Sequence, residues 1–499
     1  MADREASAAL PRDVSPLSGF LQTHRIKLVG ISALLVVPCF WQRHIEAGDL
    51  ASHLYNTWLV QLIHRGQAPG LWIAPMWNNV LFDWLLSGCV GVLGFAAGEK
   101  VAVAIAVLVF FWGSWAFAAA VAKETPWTVL PCLAMVAYGW TFHAGFFNYY
   151  LSVGLAFWGL AIFLWGKGGK RYLALALAPL ILLAHPFGLA WFVGALVYLT
   201  LSEKLPPRFQ VLLLLMAAAL LEGVHVYLWK RFPAGGTQAP LYLYQGADQL
   251  ALSTDRHLFV AGAALIFGSV CFIADLIERR STPGLFRRAG VPLQVYAMTL
   301  LAAYLLPNAI QLGAYGGSLS LITPRLTLFS AVAGCGVLAT VKTRHWHLAG
   351  FCVIAAGFFV LTFQQTAQLS RLEEQALQLV SKLPSRTRVM ATIVPRPESR
   401  IYFVDHVVDR ACIERCFAYA NYEPASGQFR VRASPGNGIV LWRPEDVARV
   451  EIGRYTVQPE DVPAVQINQC FGDFARLCSF ELRAGERNYH HVPPQGDSR

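Results

Sequence analysis

The sequence predicts a polytopic α-helical membrane protein with a small soluble domain at its C-terminal end. Of its 499 residues, 56% are hydrophobic and only 14% are charged, whereas an average soluble domain carries roughly 25% charged residues. Residues 101–122 contain no ionisable side chain. As a helix they would cover the roughly 30 Å hydrocarbon layer at about 1.5 Å per residue. A soluble core can bury one such helix, but this composition recurs along most of the chain.

About eleven membrane spans are predicted, because apolar runs alternate with short polar or basic loops. Their predicted positions are 26–42, 100–122, 127–141, 149–165, 171–185, 187–202, 210–229, 258–277, 291–309, 324–341 and 347–364. An odd number of spans puts the two termini on opposite sides of the membrane. Residues 77–97 are also apolar enough to span, but counting them would invert every later loop. This segment is therefore predicted to lie in, or to re-enter, the outer membrane interface.

The distribution of Lys and Arg sets the predicted orientation, because cytoplasmic loops collect these residues. With the N-terminus inside, the inside segments hold 16 basic residues and the outside loops hold 7. The predicted organisation is a cytoplasmic segment 1–25, a membrane domain 26–364 with a long first outer loop 43–99, and an outer soluble domain 365–499. The net charge of +10 lies in these short clusters, so no nucleic-acid partner is predicted.

The soluble domain is predicted to be α/β or mostly β. An amphipathic helix is expected over 364–381, followed by short strands bounded by turn-forming residues. The predicted strands are 388–394, 401–408, 429–433, 438–443 and 464–468. The domain holds four cysteines, Cys412, Cys416, Cys470 and Cys478. An even number fits two disulfides in an oxidising compartment, while four free thiols in a cytosolic domain remain the alternative.

Asp49 is the first candidate for chemistry. It follows the first span and precedes residues 50–65, which look like an amphipathic interfacial helix and place His53 one turn after Asp49. A carboxylate at the outer mouth of a membrane bundle can act as a general base on a hydroxyl, or hold a cation. The alternative is a solvated acid beside the outer headgroups.

Two stretches around this point carry a resemblance to a known family. The segments GDLASHLYNTWLVQLIHRGQAP (48–69) and FHAGFFNYYLSVGLAF (142–157) look like stretches of bacterial members of the GT-C superfamily. The long first outer loop, the many spans and the outer C-terminal domain resemble it too. These proteins are membrane glycosyltransferases that use polyprenyl-phosphate sugars.

The resemblance implies a fold, a reaction and partners. It implies a GT-C-like membrane domain in the bacterial inner membrane, Asp49 as the catalytic acid, and a polyprenyl-phosphate-linked sugar as donor. The acceptor, a glycan, lipid or protein, is not identified. No cofactor is implied with certainty. A divalent metal is left open, because the next outer loop offers His143 and Asn148 but no carboxylate.

Other polar residues in apolar surroundings complete the set of candidates. Arg325 could bind the carrier phosphate bidentately, or extend to lipid headgroups. Asp83 could line the cavity or cap a helix. Glu222 and His225 lie three residues apart within a predicted span, so they share a helix face. We interpret them either as residues that face a cavity or as partners in a structural hydrogen bond between helices.

Two other functions stay open at this point. A lipid or solute transporter, or flippase, would use Glu222 and His225 as a proton relay. A non-enzymatic envelope protein would use its outer domain to bind a partner.

Overall fold

The computed structural model describes residues 16–236, 245–278, 284–312, 317–342, 344–470 and 473–488. Most of the segment 1–25, predicted to be cytoplasmic, lies outside these residues, as does the end of the soluble domain. The α-helices of the described part are α1 (Pro16–Val36), α2 (Leu50–His64), α3 (Leu81–Ala122), α4 (Leu130–Ala137), α5 (Trp140–His143), α6 (Phe147–Trp165), α7 (Ala178–Ala184), α8 (Pro186–Ser202), α9 (Pro207–Arg231), α10 (Arg256–Glu278), α11 (Gly284–Leu305), α12 (Ile322–Ala339), α13 (His345–Val380), α14 (Val407–Cys412), α15 (Tyr422–Ser426) and α16 (Pro444–Glu451).

The strands in the described ranges are short and form three sheets. They are β1 (Leu71–Ile73), β2 (Ala234–Gly235), β3 (Ala309–Leu312), β4 (Gly317–Leu319), β5 (Arg388–Thr392), β6 (Phe417–Ala418), β7 (Val431–Ala433), β8 (Ala464–Gln469) and β9 (Leu477–Leu482). The largest sheet has the order β6-β5-β8-β9 and lies in the C-terminal domain. β5 runs parallel to β6 and β8, and β9 is antiparallel to β8.

The polytopic helical fold is confirmed. Among the described residues, six helices are long and apolar enough to cross a membrane, namely α3, α6, α10, α12, α13 and all of α9 from Arg208. The helix α8 and the part of α11 from Gly290 are shorter apolar helices. Two predicted spans are broken instead of continuous. Residues 127–141 form a 3₁₀ turn, α4 and α5, with extended backbone at Gly139. Residues 171–185 begin in a 3₁₀ helix, Gly168–Leu177, and end in α7.

The segment 77–97 is joined to the next predicted span. α3 contains both, but its backbone breaks at Gly94, where φ is 75° and ψ is 172°. Beyond the break, Gly98 packs so closely on Val90 that a Cβ there would lie 2.6 Å from the Val90 Cα. The arm 81–93 therefore turns back against the start of the second arm. Its placement in the outer interface stays a prediction.

The C-terminal domain differs from its prediction in three places. The expected helix 364–381 is the end of α13. Residues 401–408 form turns that lead into α14, and 438–443 form a loop. In that loop, the Asn437 side chain accepts hydrogen bonds from the Ile439 and Val440 amides, both at 2.8 Å, and so keeps them from pairing with a strand.

A strand pair joins this domain to the membrane domain, and two disulfides lie within it. β7 pairs with β1, which lies between α2 and α3, with Trp72 opposite Arg432. Disulfides join Cys412 to Cys416 and Cys470 to Cys478.

A buried cation forms a further link. Arg410 of α14 is 7% exposed. Its guanidinium donates to Glu99 of α3 at 2.8 Å, to the Ile45 carbonyl at 3.0 Å, and to Glu373 of α13. Glu46 lies beside this group, where burial and the Glu373 charge raise the pKa of Glu46 well above its usual range. One side chain thus joins four parts of the chain.

Replacing Arg410 with Met should destabilise the protein by about 3–5 kcal/mol, because the buried carboxylates of Glu99 and Glu373 lose their cation. The effect would be measured as a lower melting temperature of the detergent-purified protein. Arg449→Met is the control, since the Arg449 side chain is 61% exposed and pairs with Asp446 at the surface, where such pairs contribute little. Equal shifts in the two variants would rule out the proposed importance of the buried cluster.

Candidate functional site

Asp49 lies where the segment that follows α1 meets the turn between α5 and α6. Its amide donates to the Ala144 carbonyl at 3.1 Å, and the Gly48 amide donates to the His143 carbonyl at 2.8 Å. Gly145 has a φ of 84°, and a Cβ there would lie 2.4 Å from the Asp49 nitrogen. Only glycine fits this turn and this approach. The two sequence stretches that carry the GT-C resemblance therefore meet at Asp49.

α2 begins directly after Asp49, and the structure buries it almost completely. Twelve of its 15 residues are buried, so the prediction of an interfacial surface helix is wrong. The C-terminal domain covers its polar side chains. The Tyr55 hydroxyl accepts from the Ala418 amide at 3.0 Å, and the Asn421 side chain donates to Asn56 at 3.0 Å. The polar face contacts protein instead of water.

His53, Asp83 and Asn148 form one buried network. The His53 Nδ1 and the Asp83 Oδ1 are 2.8 Å apart, and Asn148 donates to the Asp83 Oδ2 at 3.0 Å. The Asn148 amide oxygen accepts from the Phe82 amide at 2.7 Å, which fixes its orientation. Burial opposes protonation of His53, but the charge and hydrogen bond of Asp83 outweigh it and raise the pKa of His53 to about 9. His53 is therefore a cation at neutral pH.

Glu423 of α15 adds a carboxyl group from the C-terminal domain. Its Oε1 is 4.0 Å from the His53 Nδ1 and accepts from the Ser52 hydroxyl at 3.2 Å. Burial raises the pKa of Glu423 to about 7, although the neighbouring His53 cation acts against it. Glu423 can therefore gain or lose a proton near neutral pH.

His406 brings a second imidazole to Asp49. The His406 Nε2 is 3.8 Å from the Asp49 Oδ1, and its Nδ1 is 3.0 Å from the Asp409 Oδ2. Burial disfavours the charged ring, but the bond to Asp409 and its charge raise the pKa of His406 to about 10. The Asp49 side chain is 30% exposed. Asp49 therefore faces an imidazolium on one side and solvent on the other.

Arg325, at the start of α12, lies near this group. Its guanidinium is 4.7 Å from the centre of the Phe146 ring and 5.8 Å from that of Tyr149. Its Nε is buried and has no hydrogen-bond partner in the described part of the chain. The charges of Arg325 and Asp49 interact. A cation with an unused donor therefore lies within electrostatic reach of the candidate acid.

The remaining predicted site residues lie elsewhere. His143 is buried, and its Nδ1 is 2.9 Å from the Glu46 carbonyl, so it fixes the segment that contains Glu46. Glu222 is exposed on α9, while the His225 ring stacks on Trp229 of the same helix at 5.6 Å. No hydrogen bond or ion pair joins Glu222 to His225 in the described residues. The structure does not bring this pair to Asp49.

The site offers a poor fit for a metal ion. Among the residues that the structure describes, no group of three or more His, Cys, Asp or Glu is arranged to hold one. Both oxygens of Asp83 are bonded by protein donors, His53 and Asn148. Glu423 is engaged by Ser52. The carboxylates of Asp83 and Glu423 therefore already have hydrogen-bond partners within the protein.

Glu423, His406 and Asp409 are not among the site residues predicted from the sequence, which leaves the role of the C-terminal domain open. The spacing of His406 and Asp409, three residues apart, is a signal for a local pair. Nothing in the sequence connects that pair to Asp49, because the contact depends on how the domain docks.

Two cavities lie outside this group. One, of 640 Å³, lies between α13, the start of α10 and the C-terminal domain. The other, of 360 Å³, lies among α4, α10, α11 and α12 and is mostly apolar. Asp49, His53 and Arg325 line neither of them.

Comparison with solved structures supports the fold. The chain is similar to ArnT from Cupriavidus metallidurans bound to undecaprenyl phosphate, with a TM-score of 0.50 and 12% identity, over 90% of this chain and 93% of that chain. The apo state of the same protein gives a TM-score of 0.49 and 12% identity, over 91% and 94%. No protein-family model and no curated protein matches the sequence. At 12% identity this likeness bears on the fold alone, and it confirms the fold that the GT-C resemblance implied.

Raising the pH should destabilise the protein as His53 loses its proton. The folded pKa of about 9 lies above the value of about 6.5 for an unperturbed histidine. The stability from the His53–Asp83 bond is therefore fully present below about pH 6.5 and is lost as the pH rises through about 9. We expect the melting temperature of the wild type to fall between about pH 7 and 9.5, and to fall less in His53→Gln, which cannot titrate. Parallel curves for the two proteins would refute this role of His53.

Proposed function

We propose that this chain is a membrane glycosyltransferase that moves a sugar from a polyprenyl-phosphate carrier to an acceptor at the outer face of a bacterial inner membrane. Asp49 acts as the general base. The observation that carries the proposal is the position of Asp49, a partly exposed carboxylate beside the buried His53–Asp83 pair and within electrostatic reach of Arg325. The likeness in fold to a protein solved with undecaprenyl phosphate supports the choice of carrier.

The proposed orientation puts the N-terminus in the cytoplasm and the C-terminal domain outside. The excess of basic residues on one side supports it, as do two disulfides in the C-terminal domain, since disulfides persist in oxidising compartments. In this orientation Asp49 faces the side on which the acceptor arrives.

In the proposed reaction, an acceptor hydroxyl binds at the exposed side of Asp49. The carboxylate takes the hydroxyl proton as the oxygen attacks the anomeric carbon of the carrier-bound sugar. The bond between that carbon and the phosphate oxygen breaks, and its electron pair leaves with the polyprenyl phosphate. The His406 cation orients the carboxylate through the 3.8 Å contact.

Arg325 is proposed to bind the carrier phosphate. A guanidinium can contact two phosphate oxygens at once, and the buried Nε of Arg325 has no partner among the described residues. The rings of Phe146 and Tyr149 lie against the guanidinium and limit its motion. Arg325 would stabilise the negative charge on the phosphate that leaves.

The two alternatives have less support. A transporter with a proton relay at Glu222 and His225 needs the two side chains to face a cavity or each other. The 18-residue apolar window of α9 has no buried residue, and the pair is not bonded in the described structure. A purely binding protein offers no account of the charged groups gathered around Asp49.

Replacing Asp49 with Asn should lower turnover by about 10²- to 10⁴-fold, because the amide cannot accept the hydroxyl proton. Turnover would be measured as release of undecaprenyl phosphate from the sugar-loaded carrier, in membranes that contain the acceptor pool. The variant should keep the wild-type melting temperature. Full activity in a folded Asp49→Asn protein would eliminate the mechanism.

Two controls sharpen this experiment. Glu445→Gln removes an exposed carboxylate of the C-terminal domain and should leave turnover unchanged. A protonophore should stop a proton-coupled transporter but not a transferase supplied with carrier. Turnover that collapses with the proton gradient, and not with Asp49→Asn, would favour the transporter.

Replacing Arg325 with Gln should weaken binding of undecaprenyl phosphate by about 10- to 100-fold, the loss expected for one charge-assisted contact. Binding would be measured with the purified protein by native mass spectrometry. Arg344→Gln is the control, because Arg344 pairs with Glu278 at the surface. Unchanged affinity in Arg325→Gln would remove Arg325 from the proposed site and leave the role of Asp49 to be tested separately.

A further inference from the structure

The cavity of 640 Å³ opens where three chain segments meet, and we name it the outer cavity. Its walls include residues 253–257, 361–375 and 394–404. The Thr254 amide donates to the Glu398 carbonyl at 2.8 Å, and the Arg400 amide donates to the Leu252 carbonyl at 3.1 Å. These backbone bonds join the first wall to the third, so the shape of the cavity is fixed by the fold.

The wall formed by α13 is lined with amides. Gln364, Gln368 and Gln375 follow one another at helical spacing, which places them on one face. Gln375 is bonded to the backbone of β9 and the loop before it. Gln364 and Gln368 have no hydrogen bond within the described residues, and the Gln365 Oε1 is buried without a partner there. Side-chain amides both donate and accept, as sugar hydroxyls require.

His257 supplies a second, independent sign of a ligand. It lines the outer cavity and is 3% exposed. Its Nδ1 is 3.0 Å from the Ser253 hydroxyl, whereas its Nε2 is buried and has no partner in the described part of the chain. A buried polar atom without a partner is unfavourable. A ligand polar group in the cavity would satisfy it.

The charge at the cavity favours an anion. Arg256, Arg371 and Arg396 line it and are exposed, and none of the three is in a salt bridge within the described residues. Two carboxylates, Asp255 and Glu398, also line it. Asp255 accepts a hydrogen bond from the Ser253 hydroxyl. The three arginines outnumber the two carboxylates, so an anionic group from outside would meet an excess of positive charge.

We infer that the outer cavity binds an anionic carbohydrate, that is, a sugar that carries a phosphate. The arginines would hold the phosphate, and the glutamines and His257 would bond the hydroxyls. The rings of Phe403 and Phe474, which also line the cavity, would pack on the apolar face of the sugar. The inference does not depend on the reaction proposed for Asp49, although the ligand would be the acceptor if that reaction occurs.

The outer cavity and Asp49 lie on two sides of one segment. Phe403 and Val404 line the cavity. The Phe403 ring also contacts His143, with ring centres 5.6 Å apart, and His406 reaches Asp49. A ligand in the outer cavity would therefore touch the segment that carries the His406 contact.

The test measures binding to the purified full-length protein by isothermal titration calorimetry, so it needs no turnover. The soluble probe is glucose 1-phosphate, compared with glucose and with inorganic phosphate. The lipid-borne probe is phosphatidylinositol in nanodiscs. The double variant Arg371→Gln/Arg396→Gln should bind the preferred probe at least tenfold more weakly. The control Arg415→Gln/Arg449→Gln removes the same charge from the same domain, away from the cavity, and should bind normally.

Each outcome decides the inference. Binding of glucose 1-phosphate that only the cavity variant loses supports a free sugar phosphate. Binding of phosphatidylinositol alone, with the same loss, supports a lipid-borne one. A second variant, Gln368→Trp, fills the cavity from α13 and should weaken the same probe if the double variant folds poorly. Absence of binding to both probes, or equal binding by wild type and variants, overturns the inference. None of these results bears on Asp49→Asn.

Discussion

Among the links between the C-terminal domain and the membrane domain, Arg410 is the one that buries a cation. Its guanidinium bonds Glu99 of α3, Glu373 of α13 and the carbonyl of Ile45, which follows α1. Removing either partner from such a cluster leaves an uncompensated buried charge, so the domain has a strongly preferred position. His406 directly precedes α14, and its carbonyl accepts a hydrogen bond from the Arg410 amide at 3.5 Å. The helix that attaches the domain therefore also places an imidazole against Asp49.

The same docking explains why α2 is buried. β1 pairs with β7, and the polar residues of α2 bond the C-terminal domain instead of water. The His53–Asp83 pair lies beneath this cover. Its electrostatic attraction is stronger there than in water, because the surroundings have a lower effective dielectric. The helix α2, which looks amphipathic in the sequence, is thus buried within the site.

The membrane character and the helical fold could be predicted from sequence, because the bilayer requires long apolar helices with internal backbone hydrogen bonds. Apolar runs such as 101–122 meet that requirement and are visible in the sequence. Asp49, Asp83 and Asn148 could be selected one by one, as polar residues in apolar surroundings. Their arrangement could not, because it depends on contacts such as that of Ser52 with Glu423, 371 residues further along the chain.

The strand predicted at 401–408 failed for a related reason. Its apolar residues Ile401, Phe403 and Val404 are buried, as strand residues would be. They are buried, however, as a wall between the outer cavity and the Asp49 group. Burial alone does not separate a strand from a packed turn. The sequence pattern records which side chains avoid water, and the partners that cover them come from the tertiary structure.

Among the carboxylates of the site, the protein leaves Asp49 least engaged. Asp83 is bonded at both oxygens, Glu423 accepts from Ser52, and Asp409 holds His406. In the described residues no hydrogen-bond donor contacts the Asp49 side chain, and His406 is 3.8 Å away. Asp83 and Glu423 lie against the His53 cation, and Asp409 lies against the His406 cation. These two cations lie around Asp49. A partly exposed carboxylate with free lone pairs, held by its backbone and faced by cations, is the group on which an external hydroxyl can bond.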